Sequence, residues 1–128
     1  MPPTHIHRIR VRYCETDRMG LAHHGSYVAW LEEARTEWMR TLGRTYRKME
    51  DDGELLVVAD MHIRYLKPAT FDDVLQVELR AVERSKVAIT IGYELTREPC
   101  GTRIASATTK LACVGKDGRI RRLPRELA

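Results

Sequence analysis

The sequence contains no apolar run of the roughly 18–20 residues that a transmembrane helix needs. Residues 1–8 include no apolar segment of the kind that a signal peptide has. The three cysteines, Cys14, Cys100 and Cys113, form no C-x-x-C pair, so neither a disulfide framework nor a zinc knuckle is indicated. We therefore expect a cytoplasmic protein with reduced thiols and no membrane span.

Aromatic residues are also few, at 6% of the chain, and they form no stacking pattern of the kind that binds nucleic acid. The net charge of +4 is mildly basic, which suits an anionic ligand such as a nucleotide phosphate. We expect no nucleic-acid partner. With 43% hydrophobic and 31% charged residues, the composition is typical of a globular protein, and residues 1–128 are predicted to form one domain.

The spacing of apolar residues predicts one long helix among several strands. Residues 8–13 alternate between charged and apolar side chains, as a half-buried strand does. From Ser26 to Leu42, apolar residues recur at steps of three and four, which predicts an amphipathic helix that Gly43 would cap. The charged residues 44–54 predict a surface loop or a short helical turn. Further strands are predicted at residues 55–67, 74–83, 87–96 and 104–114, with a last short edge segment at 119–122.

This order predicts an α+β domain in which the helix covers one face of an antiparallel sheet. The segment between the first strand and the helix places Asp17 before a glycine turn at Gly20 and a helix start. A helix N-terminus presents unpaired N–H groups that can stabilise the oxyanion on an acyl carbonyl. A carboxylate nearby can attack that carbonyl or activate water, so the segment predicts acyl transfer.

The same segment resembles a known family. The matching residues are Arg12, Tyr13, Thr16, Asp17, Gly20, His24, Ser26 and Tyr27, then Glu32, Ala34, Arg35, Thr36 and Glu37, then 65–69, Asp72, Asp73 and 122–124. They are similar to the signature of the 4-hydroxybenzoyl-CoA thioesterase branch of the hot-dog superfamily, and most of all to short acyl-CoA thioesterases of the Tol-Pal-associated type. The resemblance implies a hot-dog fold, in which a five- or six-stranded antiparallel sheet wraps around one long central helix.

The resemblance also implies an acyl-CoA thioesterase without a metal or cofactor. Asp17 would be the catalytic carboxylate, as nucleophile or as general base, and the backbone N–H of His24 would polarise the thioester carbonyl. The His24 side chain would pack, orient the substrate or carry a proton. The residues expected to bind the substrate are Gly20, His23, Ser26, Tyr27 and Lys67. The site would lie at a dimer interface, with dimers pairing into tetramers, and an acyl carrier protein is a further candidate partner.

Two positions bear on the acyl group, which the sequence does not identify. His23 stands where some relatives have Tyr, and Arg18-Met19 stand where small residues are common. The resemblance places both positions on the route to the acyl group. The candidates for binding the phosphates of CoA are the basic residues Arg64, Lys67, Arg84, Lys86, Arg119, Arg121 and Arg122.

Other interpretations of the same residues stay open. Asp17 is also a typical turn residue, and Cys14 would be either a nucleophile paired with a histidine or a small hydrophobe on a strand. His5, His7 and His62 have no acidic or cysteine partner at metal spacing, so no metal site is predicted.

The alternatives to hydrolysis are a hydratase or dehydratase on the same fold, and a non-catalytic module that binds acyl thioesters or an acyl carrier protein.

Overall fold

A computed structural model describes residues 4–128 as a five-stranded antiparallel sheet with one long helix packed on it. The strands are β1 (His5–Arg10), β2 (Glu54–Tyr65), β3 (Val74–Arg84), β4 (Ala88–Arg97) and β5 (Thr102–Gly115). Their order in the sheet is β1-β3-β4-β5-β2. The helices are α1 (His24–Thr41) and α2 (Tyr46–Asp51), and 3-10 turns lie at Tyr13–Glu15 and Arg125–Leu127. This arrangement confirms the predicted α+β architecture.

Helix α1 buries one side against the sheet. Four members of the predicted apolar stripe, Tyr27, Leu31, Ala34 and Trp38, are at most 3% exposed. They join the inward-facing side chains of β3, β4 and β5 in one hydrophobic core. Burial of large apolar side chains contributes about 1.5–3 kcal/mol each, so this face fixes the helix on the sheet. Within residues 4–128, neither helix has the length and hydropathy to cross a membrane.

Two predicted strands need correction, and segment 44–54 adopts one of its two predicted forms. The first strand ends at Arg10, because the chain leaves the ladder with β3 and then forms the 3-10 turn at Tyr13–Glu15. The charged segment 44–54 contains the short helix α2, which agrees with one of its two predicted forms, and the fully buried Met49 of this helix belongs to the core. The predicted edge strand at 119–122 contributes only an isolated bridge between Val114 and Ile120 within the described chain.

Glu15 joins the segment before α1 to the helix itself. Its buried carboxylate accepts hydrogen bonds from Arg12 N at 2.7 Å, from Arg12 Nη2 at 3.2 Å and from Trp30 Nε1 at 2.9 Å. Its carbonyl oxygen accepts from His23 N at 2.8 Å and from Ser26 Oγ at 2.9 Å. Burial raises the pKa of Glu15, but the hydrogen bonds outweigh burial and hold the pKa below its usual value. The point at which α1 begins is therefore set by Glu15.

Replacing Glu15 by Gln should lower the free energy of unfolding at pH 7 by about 1–3 kcal/mol, because an amide NH₂ would face a buried donor and leave it unsatisfied. The difference in the free energy of unfolding between the wild type and this variant should shrink in acid. The folded-state pKa of Glu15 lies below the unfolded value of about 4.3, so the carboxylate stabilises the fold fully above that pH and progressively less below it. Urea unfolding followed by tryptophan fluorescence at a fixed protein concentration measures both effects.

The control for this change is Glu37→Gln, which removes an exposed ion pair with Arg40 whose atoms lie 3.4 Å apart. Loss of such a pair should change stability by no more than about 1 kcal/mol. A Glu15→Gln protein as stable as the wild type at pH 7 would contradict the role given to the buried carboxylate.

Candidate active site

Asp17 lies at the tip of a short hairpin between the 3-10 turn and α1. Thr16 and Ala22 form an antiparallel bridge, and Asp17 N donates to the carbonyl oxygen of Leu21 at 2.8 Å. The reversal requires a left-handed backbone at Gly20, whose φ is 78°. Glycine adopts this conformation without the steric cost that a side chain would add. The glycine turn expected from the sequence is thus present, and it carries Asp17 at its first position.

The carboxylate of Asp17 is exposed and is oriented by its own turn. Oδ1 accepts hydrogen bonds from Met19 N at 2.8 Å and from Leu21 N at 3.2 Å. The other carboxylate oxygen accepts none from the residues that the structure describes. The turn interpretation and the catalytic interpretation of Asp17 are therefore compatible, because one oxygen holds the side chain and the other is available to react.

Helix α1 begins with one backbone donor available. His23 is the N-cap residue, and its Nδ1 accepts a hydrogen bond from Gly25 N at 3.0 Å. Ser26 N donates to the carbonyl oxygen of His23 at 2.9 Å. The N–H of His24 has no acceptor among residues 4–128. It lies at the helix end that carries partial positive charge, where a carbonyl oxygen would be polarised.

A surface groove of about 300 Å³ lies beside this helix start. Its lining residues are Leu21, Ala22, His24, Tyr27, Tyr65, Leu66, Lys67 and Pro68. Tyr65 Oη donates to the carbonyl oxygen of His24 at 3.2 Å, which holds the end of β2 against the first turn of α1. The groove therefore combines largely apolar walls with the start of a helix and one lysine.

Asp17 does not line this groove. It lies in a separate hollow with Tyr13, Cys14, Thr16 and Arg18. Leu21 connects the two, since it lines the groove and exchanges hydrogen bonds with Asp17 in both directions. A ligand that reaches both the carboxylate and the helix start must therefore extend past Leu21.

The remaining predicted site residues fall into two groups. Tyr27 and Lys67 line the groove, and burial raises the pKa of Tyr27, so its phenol stays protonated at neutral pH. In contrast, Gly20 shapes the turn, and the hydroxyl of Ser26 is engaged with the Glu15 carbonyl. The ring of His23 caps the helix and stacks on His24, with ring centres 4.3 Å apart.

The histidines weighed as metal ligands lie elsewhere. His5 and His7 stack with ring centres 6.5 Å apart on β1, and His7 Nε2 is 2.6 Å from a carboxylate oxygen of Glu33. Within the described residues, no group of three or more His, Cys, Asp or Glu side chains is placed to hold a metal ion.

Two residues that shape the site were missed in the sequence. Glu15 lies in a polar loop and has no periodic signal, and one of its donors, Trp30, is 15 positions away. Tyr65 meets His24 across 41 positions of sequence, so nothing local indicates the contact. The sequence pointed to them only by position: Tyr65 lies in the matched segment 65–69, and Glu15 lies between the matched residues Tyr13 and Thr16.

The profile of the Thioesterase superfamily matches residues 19–104, which is more than half of the chain. The acyl-CoA thioesterase YbgC of Haemophilus influenzae is 36% identical over 107 residues, covering 83% of this chain and 77% of its own. The crystal structure of DHNA-CoA thioesterase from Staphylococcus aureus has a TM-score of 0.90 at 32% identity, covering 95% of this chain and 82% of that chain.

A crystal structure of a hypothetical protein from Aquifex aeolicus gives the same TM-score of 0.90, at 38% identity. It covers 95% of this chain and 94% of its own. Sequence and fold therefore agree over nearly the whole length of the protein. The chain belongs to the thioesterase superfamily of enzymes and has the hot-dog fold that its motif predicted.

Proposed function

We propose that this protein hydrolyses acyl-CoA thioesters, with Asp17 as the catalytic carboxylate and the backbone N–H of His24 as the donor to the oxyanion. Membership of the thioesterase superfamily supports thioester hydrolysis, and the relative named acyl-CoA thioesterase supports CoA as the thiol. One short segment presents both a carboxylate oxygen of Asp17 and the backbone N–H of His24, and neither has a hydrogen-bond partner in the described chain. This observation carries the proposal.

In the proposed reaction the thioester carbonyl lies in the groove at the start of α1. Negative charge on its oxygen is stabilised by the His24 N–H, an interaction worth about 10²–10³ in kcat at comparable sites. Asp17 either attacks the carbonyl carbon, giving an acyl-aspartate anhydride that water opens, or takes a proton from a water that attacks. In both routes the C–S bond breaks and CoA leaves as a thiolate. Lys67, at the same groove, is a cation suited to a phosphate of CoA.

The groove is open in a single chain, and we propose that a second copy covers it. Strand β2 lies at the edge of the sheet, beside β5, and exposes Val57 and Val58. An apolar edge strand is a ready template for pairing with another chain. Antiparallel pairing of two β2 edges about a two-fold axis would form a dimer with one continuous sheet. Tetramers built from such dimers, and substrates carried by an acyl carrier protein, are extensions of this proposal.

Replacing Asp17 by Asn should lower kcat for acyl-CoA hydrolysis by at least about 10², because an amide neither attacks the carbonyl nor accepts a proton. The fold should survive, since the amide oxygen can still accept the N–H groups of Met19 and Leu21. Thiol release is measured on acyl-CoAs of graded length and one aromatic member.

The matched control is Asp117→Asn, because Asp117 also orients a surface turn, with its Oδ1 accepting from Arg119 N at 3.0 Å. This variant should hydrolyse the panel at the wild-type rate. Near-normal turnover by Asp17→Asn would exclude Asp17 as the catalytic carboxylate. Hydration of an enoyl-CoA without hydrolysis of saturated acyl-CoAs would favour the hydratase alternative.

His24→Pro tests the backbone donor directly, because proline lacks the N–H and is tolerated at the first position of a helix. His23 already has φ −66° and ψ 141°, the extended conformation that a residue before proline prefers. We expect kcat to fall by about 10²–10³. His24→Ala keeps the N–H and removes the imidazole, so it is the matched control. Equal losses in both variants would assign the effect to the imidazole, and full activity in His24→Pro would contradict the proposal.

Val57→Lys should yield monomers and lower hydrolysis, because a lysine on an edge strand opposes pairing with a second edge. Val82→Lys is the control, since Val82 is also an exposed valine but lies on β3, which β4 and β5 separate from the β2 edge. Sedimentation at micromolar concentration and thiol release measure the two effects. A fully dimeric and active Val57→Lys protein would show that the β2 edge is not the interface.

A further inference from the structure

Arg35 is a buried cation whose hydrogen-bond partners in the described chain are all neutral. It lies on α1 and is 4% exposed. Its Nε donates to Tyr46 Oη at 2.8 Å and its Nη1 donates to Tyr93 Oη at 3.3 Å. Tyr93 Oη in turn lies 2.7 Å from Thr109 Oγ1. Burial of a charge is costly unless an opposite charge meets it, and none of residues 4–128 forms an ion pair with Arg35.

Arg35 lines a pocket of about 300 Å³ between α1, α2 and the first half of β2. Tyr46 is partly buried beside it, and Leu56 and Val58 supply apolar side chains from β2. Glu32 and Glu50 also line the pocket; both are exposed to solvent, which screens their charges, and the charge of Glu32 still contributes to the raised pKa of Tyr46. The pocket therefore has a buried cationic wall, an apolar wall and a solvated acidic rim.

Two donors in this pocket are unused within the described chain. Tyr46 Oη accepts from Arg35, and its own hydrogen is donated to no described residue. Arg35 Nη2 likewise donates to none. Burial raises the pKa of Tyr46, so the phenol keeps its proton at neutral pH. A phenol donor next to a guanidinium matches a carboxylate, because charge-assisted hydrogen bonds to an anion are stronger than those to a neutral group.

The pocket and the thioester groove lie on the same seam between α1 and β2, at opposite ends of β2. The groove includes Tyr65 and Lys67, whereas the pocket includes Leu56 and Val58. Antiparallel pairing of two β2 edges brings the end of each strand to the beginning of the other. The groove of one subunit would therefore face the Arg35 pocket of its partner.

We propose that Arg35 and Tyr46 bind the distal carboxylate of a dicarboxylic acyl group whose thioester lies in the partner subunit's groove. This inference rests on the proposed function, hydrolysis of acyl-CoA at an interface between two β2 edges. It names the substrate class as acyl-CoA whose acyl chain ends in a carboxylate. Water cleaves the thioester C–S bond to give the dicarboxylic acid and the CoA thiol, and the distal carboxylate is bound without being changed.

The test compares kcat/KM for pairs of acyl-CoAs of equal chain length, one ending in a methyl group and one in a carboxylate, over a graded series of lengths. The wild type should favour the carboxylate member about tenfold or more at one optimal length, the magnitude expected for a hydrogen bond to a charged group. Tyr46→Phe should reduce the ratio of kcat/KM for the carboxylate-ended acyl-CoA to kcat/KM for the methyl-ended one several-fold. Arg35→Met should abolish it, and Arg35→Lys, which keeps the charge but not the planar fork, should give an intermediate ratio.

Tyr93→Phe is the matched control. It removes the other tyrosine hydroxyl that contacts Arg35, but Tyr93 does not line the pocket, so the ratio should stay at the wild-type value. Tyr46→Phe and Tyr93→Phe each remove one hydroxyl that accepts a hydrogen bond from Arg35, but only Tyr46 lines the pocket. A lower ratio in Tyr46→Phe alone therefore reports ligand binding and not support of the buried guanidinium. This comparison also keeps the test informative if Arg35→Met fails to fold.

The outcomes distinguish this inference from the proposed function. If the wild type hydrolyses no acyl-CoA, the proposed function fails and the carboxylate pocket fails with it. If methyl-ended acyl-CoAs are hydrolysed as well as carboxylate-ended ones at every length, hydrolysis stands and only the carboxylate pocket is wrong. If Tyr93→Phe lowers the ratio as much as Tyr46→Phe does, the network is structural and the inference is overturned.

Discussion

The hydrogen bonds of Glu15 are the constraint on which the candidate site depends. The carboxylate joins the 3-10 turn to Trp30 on α1, and the carbonyl of the same residue receives His23 N and the Ser26 hydroxyl. Apolar burial alone would hold α1 on the sheet but would not define its first residue, because a hydrophobic face has no directional contacts. Directional bonds from Glu15 define it, and the N–H of His24 is left as the helix donor without a partner in the described chain.

The same constraint explains how Asp17 can be both a turn residue and a reactive group. A carboxylate that moved freely would lose much of the rate advantage of being held in place. The turn uses one oxygen of Asp17 for the N–H groups of Met19 and Leu21, and this restricts the side chain while the second oxygen stays accessible. The carboxylate is exposed to water in the single chain, and a covering subunit of the kind proposed above would strengthen each electrostatic contact by excluding solvent.

Elements with local periodicity could be predicted from the sequence, and contacts between distant elements could not. The stripe that includes Leu31 and Trp38 identified α1 from Ser26 onward, and the family resemblance placed the helix start two residues earlier, at His24, as the structure has it. The turn at Gly20 followed from the local sequence. The contact of Tyr65 with His24 depends on how β2 meets α1, which no local pattern encodes. Arg35 does carry a local signal: it lies four positions after Leu31, so the helical period itself directs this charge toward the core.

Two buried ions touch the α1 core, and their surroundings differ in a way that separates their roles. Glu15 is surrounded by donors from its own chain, including a guanidinium, so its charge is balanced when the protein folds. Arg35 meets only tyrosine hydroxyls, and no described carboxylate pairs with it. A buried ion whose partners come from its own chain needs no ligand, whereas a buried charge without a counter-charge is stabilised by a bound ligand that supplies one. The hydroxyl network of Tyr46 and Tyr93 keeps Arg35 hydrogen-bonded in the free protein and leaves its charge to be matched by a ligand.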